Sequence, residues 1–177
     1  MDRVNLWEWD KKTRTMLRFI RVGDILCFKI NELEEKYGYG ILIAKLDGWF
    51  ACKIYDIQHT NPNAITAKEI MEAKQLGKIF ILDVYSTLDN KKHIQKGEWR
   101  ILGHYDNFEL TPDEIKNVFF EYGPSGMKRK IDLLGNDQEI SDKEAEGYFQ
   151  VIAEPVSTCV HDIFAFFSAK ARLVTKL

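Results

Sequence analysis

Between residues 21 and 57 the apolar positions follow the pattern of three consecutive β-strands. Ile25, Cys27, Phe28 and Ile30 form the first run, after the turn residues Gly23 and Asp24. The polar segment 31–36 (NELEEK) interrupts it, and a second run extends from 37 to 46. Asp47-Gly48 then reads as a two-residue hairpin turn, because both residues tolerate positive φ. The third run, 49–57, alternates: Phe50, Cys52, Ile54 and Asp56 fall on one side, Ala51, Lys53, Tyr55 and Ile57 on the other. This pattern predicts a strand with one strongly buried face. Gly38 and Gly40, inside the second run, predict a bend, a bulge or a close backbone approach.

Further strands are expected on either side. Leu6-Trp7-Glu8-Trp9-Asp10 alternates as a short strand, with Lys11-Lys12 as a turn and 14–19 returning, a first hairpin whose tryptophans pack on the core. Segment 78–86 (KIFILDVYS) is apolar on both faces and reads as a central strand, 88–92 as a polar turn, and 98–104 (EWRILGH) as another strand. Residues 128–134 and 138–140 form a hairpin pattern around Gly135-Asn136.

Three segments open like helices. In Thr66-Ala67-Lys68-Glu69 the hydroxyl can accept from the amide three residues on, while the carboxylate reaches back. Ile65 and Ile70 occupy the staple positions, and Gly77 reads as the stop. Thr111-Pro112-Asp113-Glu114 repeats the grammar with proline where no amide is needed, followed by Ile115, Val118, Phe119 and Tyr122 at helical spacing. Ser141-Asp142-Lys143-Glu144 opens a short third helix that ends near Gly147. A fourth, amphipathic helix is predicted over 155–173, where Val156, Val160, Ile163, Phe164, Phe167 and Ala171 recur with the 3.6 period. The helices are thus expected at about 67–76, 112–122, 142–147 and 155–173. The fold class is α+β: a bent, mainly antiparallel β-sheet or partial barrel with three to four flanking helices. The 177 residues read as one domain, β-rich over 1–110 with one inserted helix, and an α+β remainder, 111–177, packed on it.

Composition narrows the function classes. The net charge of -2 does not point to nucleic acid or an anionic membrane. Cys27, Cys52 and Cys159 match neither a zinc pattern nor a redox CxxC pair and suit a reducing compartment. The first residues, MDRVNLWEWDKK, do not form a signal peptide. No apolar run approaches the roughly 20 residues that span a bilayer. A cytoplasmic protein is expected.

The sequence holds no nucleophile elbow, glycine-rich phosphate loop, HExxH or EF-hand loop. His59, His93, His104 and His161 show no metal-ligand spacing, so no cofactor and no metal are expected. His161 adjoins Asp162 and Cys159, but on a helix these neighbours point apart. His104-Tyr105-Asp106 follows a strand and offers a hydrolase reading if distant partners join it. The basic residues of the first 22 positions, interleaved with Trp7 and Trp9, offer another: a small β-barrel module binding single-stranded nucleic acid. The acids are more informative. Asp132, Asp137, Glu139, Asp142, Glu144 and Glu146 stand against Lys143 alone in 132–146, and Glu32, Glu34 and Glu35 follow the first core strand. Such patches fit either a solvated face or a surface complementary to a basic partner, such as a nuclease with a phosphate-binding cleft.

Two motif stretches carry a resemblance. Val22-Gly23-Asp24-Ile25-Leu26-Cys27-Phe28, followed by Lys36-Tyr37-Gly38-Tyr39-Gly40-Ile41-Leu42, resembles the immunity protein 26 family of bacterial polymorphic toxin systems. Tyr55-Asp56-Ile57 and Gly97-Glu98-Trp99-Arg100-Ile101-Leu102-Gly103-His104 fit the same family. The resemblance covers about 21–104, and residues beyond about 110 match nothing recognised. It implies a mostly-β protein that protects the producing cell by binding a toxin, with no active site. The expected partner is a cognate toxin domain, with a basic nuclease as one candidate; nucleic acid and membrane are not expected as partners. The expected toxin-binding residues are Glu32, Glu34, Glu35, Asp137, Glu139, Asp142, Glu144 and Glu146.

Overall fold

A computed structural model describes residues 3–9, 17–31, 35–46, 49–84, 88 and 99–150. The first sheet contains β1 (Val4–Leu6), β2 (Asp24–Asn31), β3 (Lys36–Leu46), β4 (Trp49–His59), β5 (Gln75–Leu82) and β6 (Trp99–Tyr105). Its order is β1-β6-β2-β3-β4-β5, and every neighbouring pair is antiparallel. Among the described residues the sheet is open, with β1 and β5 as its edges. The second sheet contains β7 (Phe119–Tyr122), β8 (Arg129–Asp132), β9 (Asp137–Glu139) and β10 (Phe149–Gln150), in the order β10-β7-β8-β9. Among the described residues three short helices accompany the sheets: α1 (Ala67–Glu72), α2 (Pro112–Asn117) and α3 (Asp142–Ala145). The architecture is mostly antiparallel sheet with few short helices.

The first sheet is buried on both faces, not one. On β4, Ala51 and Tyr55 enter one apolar cluster, while Phe50, Cys52 and Ile54 enter the other. β2 divides the same way, with Ile25 and Cys27 on one face and Leu26, Phe28 and Ile30 on the other. The first cluster continues through Ile65 and Ile70 around α1 and through Phe120 and Leu133 at the second sheet. This two-sided burial also accounts for 78–86. The strand there begins earlier, at Gln75, and lies at the sheet edge rather than its centre. Its residues are apolar on both faces because both faces are covered: Ile79 and Ile81 enter one cluster, Leu82 the other.

The glycines of the second run act as expected. The β3–β4 register shifts between Gly38 and Gly40. A Cβ on Gly40 would stand 2.5 Å from the Lys53 carbonyl oxygen, and one on Gly38 would stand 2.6 Å from the Phe28 ring. That ring stacks on Trp99 at 4.1 Å between centroids. The Asp47-Gly48 turn lies outside the described residues, but Leu46 pairs with Trp49 across the hairpin.

Several expected boundaries move. β1 pairs with β6, nearly a hundred residues away; of the expected returning strand, Leu17–Phe19 is a 3-10 turn and 14–16 lie outside the described residues. Trp7 and Trp9 do pack against the two clusters. Leu88, expected in a polar turn, is buried. Helix α1 ends at Glu72 because Ala73 is already extended. Gly77 does not stop a helix: its φ of 68° falls in β5, where the register with β4 shifts. Helix α2 ends at Asn117, and Phe119 and Tyr122, expected on it, belong to β7. There the aromatic run gains more from pairing with β8 than from another helical turn. Thr66 and Thr111 form complete capping boxes. Ser141 accepts from the Glu144 amide, but the Glu144 carboxylate turns to Lys130 instead of back to the cap. The β8–β9 hairpin forms around Gly135 as expected. The predicted helix over 155–173 lies outside the described residues.

Candidate functional site

The expected acidic surface folds into a charge network. Its sequence window, 132–146, stops just short of Lys128-Arg129-Lys130. The β8–β9 hairpin brings that basic triplet back among the acids. Arg129 lies opposite Glu139 in register. Its Nε donates to both Asp137 oxygens at 3.0 Å, and its Nη1 donates to Glu139 at 3.1 Å. The Tyr122 hydroxyl donates to Asp137 at 2.7 Å. The Tyr122 and Arg129 donors hold the Asp137 carboxyl below its usual range.

The neighbouring base is enclosed differently. Lys130 Nζ donates to Glu144 at 2.9 Å and to the Tyr148 hydroxyl at 3.2 Å. The Phe119 and Tyr148 ring centroids each lie 5.1 Å from it. The Lys130 contact lowers the Glu144 carboxyl. Asp142 accepts from the Ser125 hydroxyl and the Gly126 amide, which lower its carboxyl. Lys128 pairs with the buried Glu121. Thus Asp137, Glu139, Asp142 and Glu144 are each engaged within the chain, with Asp137 and Glu139 sharing Arg129. Glu139 still leaves 85% of its side chain exposed, and Glu146 is exposed on the turn after α3. Glu35 is exposed before β3. Glu32 and Glu34 lie outside the described residues.

The histidine near the end of β6 gains a partner that sequence reasoning missed. His104 Nδ1 stands 2.9 Å from Asp24 Oδ1, and its Nε2 stands 3.6 Å from Asp106. Asp24 also accepts from the Arg21 amide at 3.0 Å, and Asn5 donates to Asp106 at 2.6 Å. Burial raises the Asp24 carboxyl, against the opposing effects of the Arg21 amide and His104. Both ring nitrogens of His104 face carboxylates, so the arrangement ties β1, β2 and β6 together. Asp24 and His104 lie in separate motif stretches, and only the strand register joins them.

Trp7 and Trp9 sit at the other end of β1. The Trp7 indole donates to the Ile101 carbonyl at 2.7 Å. Trp9 meets Tyr37 edge-on at 5.3 Å, and the Arg100 guanidinium lies 4.3 Å from the Trp9 ring centroid. Beside them opens a cleft of about 320 Å³, lined by Leu6, Trp7, Glu8, Asn63, Ile65 and Leu102. No sequence pattern marked it, because its walls come from three separate stretches of chain. Among the described residues, no group of three or more His, Cys, Asp or Glu could hold a metal ion. No helix among them is long and apolar enough to cross a membrane.

No curated protein and no solved structure matches the chain. A family model described as immunity protein 26 matches residues 21–132. The match begins where the resemblance begins and runs beyond it, through α2 and β7 to the end of β8. It takes in Asp24, the glycines of β3, His104 and the basic triplet. With well over half of its length matched, this chain belongs to the immunity protein 26 family.

Proposed function

We propose that this chain neutralises a cognate bacterial toxin by direct protein–protein binding in the cytoplasm, without catalysis of its own. Family membership carries the reading, since an immunity protein implies a toxin partner. Binding requires surface complementarity and no reacting groups. Nanomolar affinity corresponds to about -12 kcal/mol and is usually reached with a few well-placed hot spots.

The contact surface proposed here is acidic and faces a basic toxin surface, such as the phosphate-binding cleft of a nuclease. Glu139, whose side chain is 85% exposed, leads it, with Glu146 exposed on the turn after α3. Asp137, Asp142 and Glu144 flank them in the charge network. Glu35, with Glu32 and Glu34 before it in the chain, supplies the second patch. Charges at such a rim act mainly on the rate of encounter.

Co-expression with the toxic domain of the protein encoded beside it tests the function, followed by calorimetric titration of the purified pair. Restored growth with tight one-to-one binding is expected. A toxic neighbour with neither rescue nor binding overturns the reading. Joint charge reversal of Glu139, Glu144 and Glu146 tests the surface. It is expected to slow association and flatten its salt dependence, with the unfolding midpoint measured alongside. Unchanged association kinetics in a folded variant would reassign the contact.

A further inference from the structure

We infer that Met127, in the loop between β7 and β8, is the apolar anchor of the toxin contact and enters an apolar pocket with a basic rim on the toxin. This rests on the reading of the chain as a toxin binder, and it adds a hydrophobic anchor that the acidic surface does not provide. Met127 is 73% exposed, the most exposed large apolar residue among those described. Single apolar residues are common on protein surfaces. Met127 is distinguished by the way its loop is fixed and by the charges beside it.

The loop is set before any partner arrives. Gly123 turns the chain at a φ of 95°, and a Cβ there would stand 2.5 Å from the Met127 carbonyl oxygen. The Met127 amide donates to the Pro124 carbonyl at 3.0 Å. Asp142 accepts from the Ser125 hydroxyl and from the Gly126 amide at 2.9 Å, which ties the loop to the start of α3. The Ile140 amide donates to the Lys128 carbonyl at 3.0 Å. The backbone is thus held on both sides of Met127, while most of the residue stays open to solvent. A prearranged contact avoids the ordering cost that otherwise subtracts from affinity.

The surroundings are those of an interface centre. Asp142 is bonded to the two residues that precede Met127. The β8–β9 ladder sets Glu139 opposite Arg129, two residues further on. Lys128 and Arg129, which follow Met127 directly, are engaged by Glu121, Asp137 and Glu139. An apolar residue is thus flanked by carboxylates. Interfaces between proteins have this plan, with an apolar centre enriched in methionine and a polar rim. The unbranched, polarizable thioether adapts to the shape of a pocket. The complementary toxin surface is an apolar hollow edged by lysine or arginine. The roles then divide: the acids govern the rate of encounter, and Met127 governs the lifetime of the complex.

Association and dissociation of the purified toxin, followed by surface plasmon resonance, test the inference. Wild type is compared with Met127→Ala, Met127→Leu and the control Met71→Ala, a methionine 48% exposed on α1. Met127→Ala is expected to bind about tenfold more weakly, the scale of burying one such side chain. The loss should appear as faster dissociation with association unchanged. Met127→Leu keeps the apolar volume and is expected to remain close to wild type, as is Met71→Ala. The unfolding midpoints, measured alongside, are expected to match. Unchanged dissociation in Met127→Ala, or an equal loss in Met71→Ala, overturns the inference and leaves the immunity reading standing. A loss carried by slower association overturns the anchor role. A wild type that neither binds toxin nor rescues growth overturns the toxin-binding reading and the inference with it.

Discussion

Asp24 and His104 face each other across the β2–β6 ladder, with their side-chain atoms 2.9 Å apart and both side chains less than 10% exposed. Asp24→Ala leaves the imidazole and the Arg21 amide without that acceptor. Each such loss costs about 1–3 kcal/mol, so a clear fall in the urea midpoint is expected. Asp24→Asn keeps an acceptor and loses less. The pH dependence has a defined sign. Burial raises the Asp24 carboxyl, so the folded state holds this proton more tightly than the unfolded chain. That contribution is complete below the ordinary carboxyl value of about 3.9 and is lost as pH rises through the folded value. Relative to Asp24→Asn, wild type should therefore lose stability across that window.

Glu114 should behave in the opposite way. It pairs with Lys53, linking α2 to β4, with side chains 13% and 15% exposed. Burial pushes its carboxyl up, but the Lys53 ammonium and the Thr111 cap outweigh burial and bring it below its usual value. Its contribution is present above the unfolded carboxyl value and is lost as pH falls through the folded one. Lys53→Met should cost about 1–3 kcal/mol at neutral pH, between the exposed and fully buried cases. The deficit should shrink in acid, as followed by thermal unfolding at several pH values. A pH-independent deficit would locate the effect in packing instead.

Gly40→Ala should be the more damaging of the two glycine substitutions in β3. Its Cβ would meet backbone, the Lys53 carbonyl, whereas Gly38→Ala would meet the Phe28 ring. Overpacking typically costs about 1–3 kcal/mol, and Gly40→Ala is expected at the upper end. Chemical denaturation of both variants compares them directly. Equal costs would show that the Phe28–Trp99 stack yields no more readily than the β4 backbone.

Arg129→Ala removes the base that Asp137 and Glu139 share. Stability should change little, since these contacts are exposed. The Asp137 carboxyl should move up toward its ordinary value while retaining the Tyr122 contribution, a shift that NMR titration can follow. Association with a basic toxin should become faster, because two carboxylates are released. Slower association would mean that Arg129 itself makes the contact.

Local chemistry decided much of this protein in advance. The strands within 21–57, the strand that becomes β6, the β8–β9 hairpin and the three helix starts were all legible. Alternation, caps and turn residues act over a few positions and are written contiguously in the chain. Family membership was legible for the same reason, since its glycines and aromatics mark bulges and stacks within those strands. Helix ends were not: in 118–122, pairing with β8 overrode a helical period. The edge position of β5 was hidden because burial on two faces resembles centrality. Only tertiary structure brought Lys128, Arg129 and Lys130 onto the acids, paired Asp24 with His104 and enclosed the cleft around Glu8. Each depends on strand register or on segments far apart in the chain, and a one-residue slip in register would exchange the faces of a whole strand. The charges themselves were legible in the sequence, while the neighbours that determine their function were set by the pairing of the strands.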